Sequence, residues 1–89
     1  MKDHDFEWDV EKAARNLARH GVSFEAARLA FDDPFAVVRE DRRRDYGEDG
    51  MVENHLLAVV HTQRDARIRI ISARLAEPRE RRRYHEENS

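Results

Sequence analysis

The residues best suited to chemistry on a phosphate lie between Arg67 and Tyr84, in the stretch "RIRIISARLAEPRERRRY". Arg binds phosphate oxygens bidentately and stays charged at every working pH. Tyr can stack on an exposed base, or give or take a proton. Several arginines beside one tyrosine point to RNA. Cleaving RNA without a metal requires three things. The 2′-OH must lose a proton, the charge of the phosphorane must be offset, and the 5′-oxygen must gain a proton. Arg69 and Arg74 are the candidates for offsetting charge, with Arg67, Arg79 and Arg83 as further RNA-binding groups. His20 and Tyr84 are candidates for proton transfer. His20 has a suitable intrinsic pKa, but a His at a helix C-terminus is also favoured by the helix dipole alone. Arg69 could equally serve in an ion pair with an acid on a neighbouring strand. Tyr84 could equally serve to dock the last helix on the sheet.

A metal centre is not expected. There is no Cys, and the acids show no recognisable ligand spacing. His55 and His61 share a strand face but lie about 20 Å apart along it, too far to hold one ion. No cofactor is implied. His61 reads as a packing residue, Trp8 as core, and Ser72 as a strand-end hydrogen-bonding group.

The chain of 89 residues is short enough for one domain, 1–89, with a small core. Its formal net charge is -2, but the charge is uneven. Residues 1–40 hold six Lys/Arg against nine acids, a net of -3. Residues 63–84 hold eight Arg against Asp65, Glu77 and Glu80, a net of +5. Such asymmetry suits an anionic partner, though a charge run is more commonly a solvated face. The N-terminus has no apolar targeting region and no run is long enough to span a bilayer, so a cytoplasmic protein with no membrane partner is expected.

These groups must be positioned by the surrounding elements. "FEWD" (6–9) alternates as an edge strand. Asp9 can cap a helix whose apolar stripe is Val10, Ala13, Ala14, Leu17 and Ala18, stopped at Gly21. Ser23 can cap a second helix reaching Phe31, ended by Asp32-Asp33-Pro34. "FAVVRE" (35–40) reads as a strand and 41–50 as a polar loop or hairpin connection. "HLLAVVHT" (55–62) and "RIRIISAR" (67–74) are strands joined by a turn at 63–66. Pro78 opens a last helix over 77–87, packed through little more than Leu75, Ala76 and Tyr84 and therefore the least stable element. The result is α+β: an antiparallel sheet, two N-terminal helices on one face, and a short C-terminal helix. Strand alternation puts Ile68, Ile70, Ser72 and Arg74 on the core face. It sends Arg69 to an opposite face left open, with Arg74 at the strand's end.

"FEWD" (6–9), "KAARNLARHGVSFEAARLAF" (12–31) with "DDP" (32–34), "RRDYGED" (43–49), "VVHT" (59–62), "IRIISAR" (68–74) and "RERRRY" (79–84) occur here in one order. Together they make the chain similar to BrnT-family toxins of type II toxin–antitoxin systems. That resemblance implies a RelE-like ribonuclease fold and a toxin that cleaves mRNA and inhibits translation. It implies neutralisation by a BrnA-like antitoxin with a ribbon-helix-helix part, and operator DNA contacted only through the complex. Glu48, in the matched "DYGE" segment, becomes a candidate general base. One departure stands out. Family members usually follow that segment with an Arg and a further apolar strand. Here "DYGED" runs almost directly into "GMVENHLL", so a sheet strand is expected to be shortened, missing or supplied by another chain. A competing reading follows: a non-catalytic or decayed module that binds an antitoxin and takes part in operon autoregulation.

Overall fold

The computed structural model describes residues 5–40 and 46–88. Strand β1 is Asp5–Glu7. Asp9 then accepts a hydrogen bond from the Lys12 N–H at 3.0 Å and starts α1, Val10–His20. Gly21 ends it with φ of 71°, donating to the Leu17 carbonyl. Such a φ favours glycine. Ser23 caps α2, Phe24–Leu29, through the Ala26 N–H. The expected continuation to Phe31 is a tighter 3-10 turn, Ala30–Asp32. Strand β2 is Val37–Glu40, β3 Tyr46–Val52, β4 His55–Arg64 and β5 Arg67–Leu75, and Pro78–Glu87 forms α3.

The expectation of a loop over 41–50 is corrected in its second half, and residues 41–45 lie outside the described residues. Tyr46–Val52 is a seven-residue strand paired antiparallel with β2 on one side and β4 on the other. The strand expected to be short or missing is therefore present, and this chain supplies it. Two-residue turns close the hairpins on either side of β4, with positive φ at Glu53 (57°) and Asp65 (52°).

The five strands lie in the order β1-β5-β4-β3-β2. All neighbours are antiparallel except β1, which joins β5 in parallel at the edge. Helices α1 and α2 cover one face. There Phe24, Ala27, Ala30 and Phe31 pack on Leu57, Val59, Ile68, Ile70 and Ala73, with Phe6 and Trp8 at the margin. Trp8 meets the Phe24 ring edge-on at 6.0 Å.

The last helix packs on the other face, which the sequence reading left open. Its Ala76 and Tyr84 close over Val37 and Leu56, with Met51 beside them. Leu75, expected to help anchor this helix, is instead 54% exposed. It pairs with Leu57 and lines a groove with Leu17 and Leu29 on the α1/α2 side.

A second correction concerns β5. His61 pairs with Ile70 and Val60 with Ser72, so Ile71 has no cross-strand partner. This one-residue bulge reverses the alternation beyond it. Ala73 turns into the core, while Ser72 and Arg74 join Arg67 and Arg69 on the α3 face.

Asn16 holds α1 to β5 next to the bulge. It donates to the Val22 carbonyl at 2.9 Å and the Ala73 carbonyl at 2.8 Å, and accepts from the Ala73 N–H at 3.1 Å. Asn16→Ala would strand buried backbone groups. Its expected cost is about 2–3 kcal/mol, read as a lower urea midpoint by circular dichroism. An unchanged midpoint would mean that water replaces all three bonds.

Candidate active site

Strands and helix together bring charged side chains to the α3 face. Register puts Arg39, Asp49 and Arg74 there, on β2, β3 and β5. Asp49 is completely buried and grips the Arg39 guanidinium through both carboxylate oxygens, at 3.1 and 3.0 Å. From α3, Glu80 takes the Arg74 fork at 2.7 and 3.0 Å. The same Glu80 oxygen that receives Arg74 Nη2 lies 3.4 Å from Arg39 Nη2. Glu80 also accepts from the Glu77 N–H at 2.7 Å, which ties its carboxylate to the helix start. One turn further along α3, the Tyr84 hydroxyl donates to Asp33 at 2.7 Å, and Asp33 also accepts from the Met51 N–H at 2.8 Å.

These contacts set the protonation states. The Arg74 hydrogen bond holds Glu80 below the usual carboxylate range against the opposing effect of burial. The same bond raises Arg74. Burial works to raise Asp33, but hydrogen bonds from Met51, Tyr84 and Phe35 outweigh it and leave Asp33 lowered. Burial, followed by the bond to Asp33, pushes the Tyr84 phenol up to about 12.

A pH prediction follows. Asp33 and Glu80 bind protons less readily folded than unfolded. They contribute stability above the ordinary carboxylate range, and it is lost as pH falls through their lowered folded values. Urea midpoints are expected to fall between about pH 7 and pH 3, and to fall less in Asp33→Asn/Glu80→Gln. An equal fall in that variant would place the acid sensitivity elsewhere.

Of the residues singled out from sequence, Arg74 and Tyr84 are brought to one region, joined by α3. Arg69 lies on the same face but nearer the sheet edge, where its guanidinium meets Glu7 of β1 at 2.7 Å. Arg67 is more exposed and lies 3.8 Å from the same carboxylate. Arg79 and Arg83 are exposed on α3, the latter paired with Glu87 at 3.2 Å. His20 and Glu48 are on the other side of the sheet. His20 ends α1 and lines the groove with Leu17 and Leu75. Glu48 is buried, 3.9 Å from the His61 ring, which packs between Phe31 and Tyr46. Among the described residues no group of acids and histidines could hold a metal ion.

Sequence reasoning missed Arg39, Asp49 and Asp33. Alternation within "VVRE" did contain the first of them, because Val37 is buried beside Leu56 and residue 39 must share its face.

These features define a class: a small α+β protein whose sheet carries arginines on one face and closes that face with its own last helix. The family model for the BrnT ribonuclease toxin of type II toxin–antitoxin systems matches residues 8–80. The chain belongs to the BrnT family of ribonuclease toxins. Among solved structures it is similar to the ribonuclease toxin BrnT of Brucella abortus, at 26% identity and a TM-score of 0.72, covering 84% of this chain and 99% of that one. No curated protein matches the chain. Among the described residues no helix is long and apolar enough to cross a membrane.

Proposed function

We propose that this chain is a cytoplasmic, metal-independent endoribonuclease that cleaves mRNA and so inhibits translation. The 2′-OH gives its proton to solvent water and attacks the adjacent phosphorus; the bond from phosphorus to the 5′-oxygen breaks, and that oxygen leaves with a proton. The products are a 2′,3′-cyclic phosphate and a 5′-hydroxyl. Arg74 and Arg69 offset the charge that builds on the phosphoryl oxygens. Arg67, Arg79 and Arg83 hold the flanking RNA. The Tyr84 phenol keeps its proton throughout the working range, so it enters this reading as a donor that turns from Asp33 to the leaving oxygen, and never as a base. Glu48 and His20 have no part in it, because the sheet separates them from Arg74. The observation that carries the reading is the bidentate grip of Arg74 on a carboxylate, a geometry that suits a phosphodiester equally well.

A BrnA-like antitoxin with a ribbon-helix-helix part is the proposed partner, and operator DNA is reached only through that complex. The test is to incubate the purified free protein with mRNA in excess chelator. Cleavage with cyclic-phosphate ends, abolished by 2′-deoxy substitution at the cut site, is expected. Intact RNA would overturn the reading. It would favour the second one, a non-catalytic or decayed module that binds an antitoxin and takes part in operon autoregulation. One observation speaks for that alternative: Arg39, Arg69 and Arg74 are each already matched by an acid of this chain.

A further inference from the structure

We infer that Arg39 is a second phosphate-binding residue, forming with Arg74 a two-guanidinium clamp that Glu80 of α3 fills in the free protein. The inference rests on the ribonuclease reading above and adds a residue and an occupant to its site.

Gly47 makes the room in which Arg39 lies. Register sets Arg39 opposite Gly47, and a Cβ there would lie 2.6 Å from the Arg39 Cζ. The absent side chain lets the guanidinium lie flat across β3. Asp49, two residues along on the same face, then fixes its orientation through two hydrogen bonds. Arg39 is therefore held in place by buried groups rather than left to sample rotamers. Yet its side chain stays 26% exposed and that of Arg74 33%, against 1% for Asp49. The anchor is buried, while both arginine side chains keep part of their area at the surface.

Between those heads sits one carboxylate oxygen, 3.0 Å from Arg74 Nη2 and 3.4 Å from Arg39 Nη2. A carboxylate and a phosphodiester each present two oxygens and one negative charge, and a guanidinium fork receives either. Glu80 stands where a phosphodiester would bind. Charge agrees with this. Arg39, Arg74, Asp49 and Glu80 sum to zero, and removing Glu80 leaves one positive charge, the complement of one phosphodiester. Glu80 is also the member best able to leave. It is carried by a helix held to the sheet by a small apolar cluster and the Tyr84–Asp33 hydrogen bond, whereas the other three are on paired strands.

The test measures binding and cleavage separately. Binding uses an RNA oligonucleotide with a 2′-deoxy substitution at the cut site, followed by fluorescence anisotropy in low salt. Glu80→Gln is expected to tighten binding about tenfold, because a neutral amide competes weakly for two cations. Arg39→Lys is expected to weaken it about tenfold, since one ammonium cannot hold Asp49 and a phosphate together. Arg39→Gln/Asp49→Asn leaves no buried charge unpaired and is expected to weaken it equally. Folded Arg39 variants that bind like the parent would overturn the inference and show Arg39 to be only the partner of Asp49. If those variants also cleave RNA like the parent, the ribonuclease reading survives that failure. A parent that binds the probe without cleaving RNA would end the ribonuclease reading, and the Arg39 variants would still decide the clamp. A parent that neither binds nor cleaves would end both.

Discussion

Arg74→Ala is expected to lower RNA cleavage by about 10²–10³-fold, the usual loss when one preset charge-stabilising group is removed. Arg74 has the strongest case because the fold prepares it twice. The bulge at Ile71 rotates it out of the core face, and Glu80 shows that its fork can hold two anionic oxygens at hydrogen-bonding distance. Truncation also leaves Glu80 with only Arg39 and the Glu77 N–H, so the variant must be shown to be folded by circular dichroism. Arg74→Lys is a useful companion. It keeps the charge but loses the fork, and should recover only part of the rate. Arg69→Ala should cost less, because Glu7 holds that guanidinium at the edge of the sheet. Full activity in folded Arg74→Ala would remove Arg74 from the chemistry and the proposed clamp with it.

The largest expected effect on stability is at Gly50. This residue pairs with Leu57 and faces α1 and α2. A Cβ built on it would lie 2.3 Å from the Ala30 carbonyl oxygen and 3.0 Å from the carbonyl carbon. Both are backbone atoms in the 3-10 turn, and Ala30 is wholly buried, so no side-chain rotation relieves the clash. Gly50→Ala is expected to destabilise by about 3 kcal/mol or more, a large share of the roughly 5–15 kcal/mol typical of a domain. The melting temperature should fall by more than about 10 °C. Gly21→Ala is the control: nothing lies within 4 Å of its Cβ position, so only the strained backbone, with φ of 71°, contributes. That is worth about 1 kcal/mol. Equal losses in the two variants would mean that the 3-10 turn shifts to make room.

The parts of the fold that follow simple rules were readable in advance. Asp9, Gly21 and Ser23 cap helices as their types predict, and the Val- and Ile-rich runs became β4 and β5. Strand β3 was not readable, because "YGEDGMV" has the composition of a turn. Its residues make sense only against their neighbours. Gly47 makes room for Arg39, Gly50 for the Ala30 carbonyl, and Asp49 is buried against a guanidinium from another strand. The bulge was equally hidden, since alternation says nothing about an extra residue. That one residue decides whether Arg74 faces the core or the proposed site. Tyr84 and the basic stretch were visible, but the acids that hold them, Asp33 and Glu80, had to be found in three dimensions. Their distance in sequence explains the omission for Asp33, which lies 51 residues from Tyr84.

The parallel edge between β1 and β5 has a consequence for a chain still being made. Glu7 emerges early, while its partner Arg69 comes 62 residues later. Until β5 has left the ribosome, β1 has no strand to pair with, and the face that carries Arg69 and Arg74 cannot form. The arginine face therefore comes into being only once β5 has cleared the exit tunnel, and the closing helix, next in the chain, follows it out. A nascent polypeptide halted before Arg67 should be digested readily by protease. One halted far enough past Glu87 for α3 to clear the exit tunnel should resist. The ribosome that makes this protein thus meets the arginine face only when Glu80 is about to cover it.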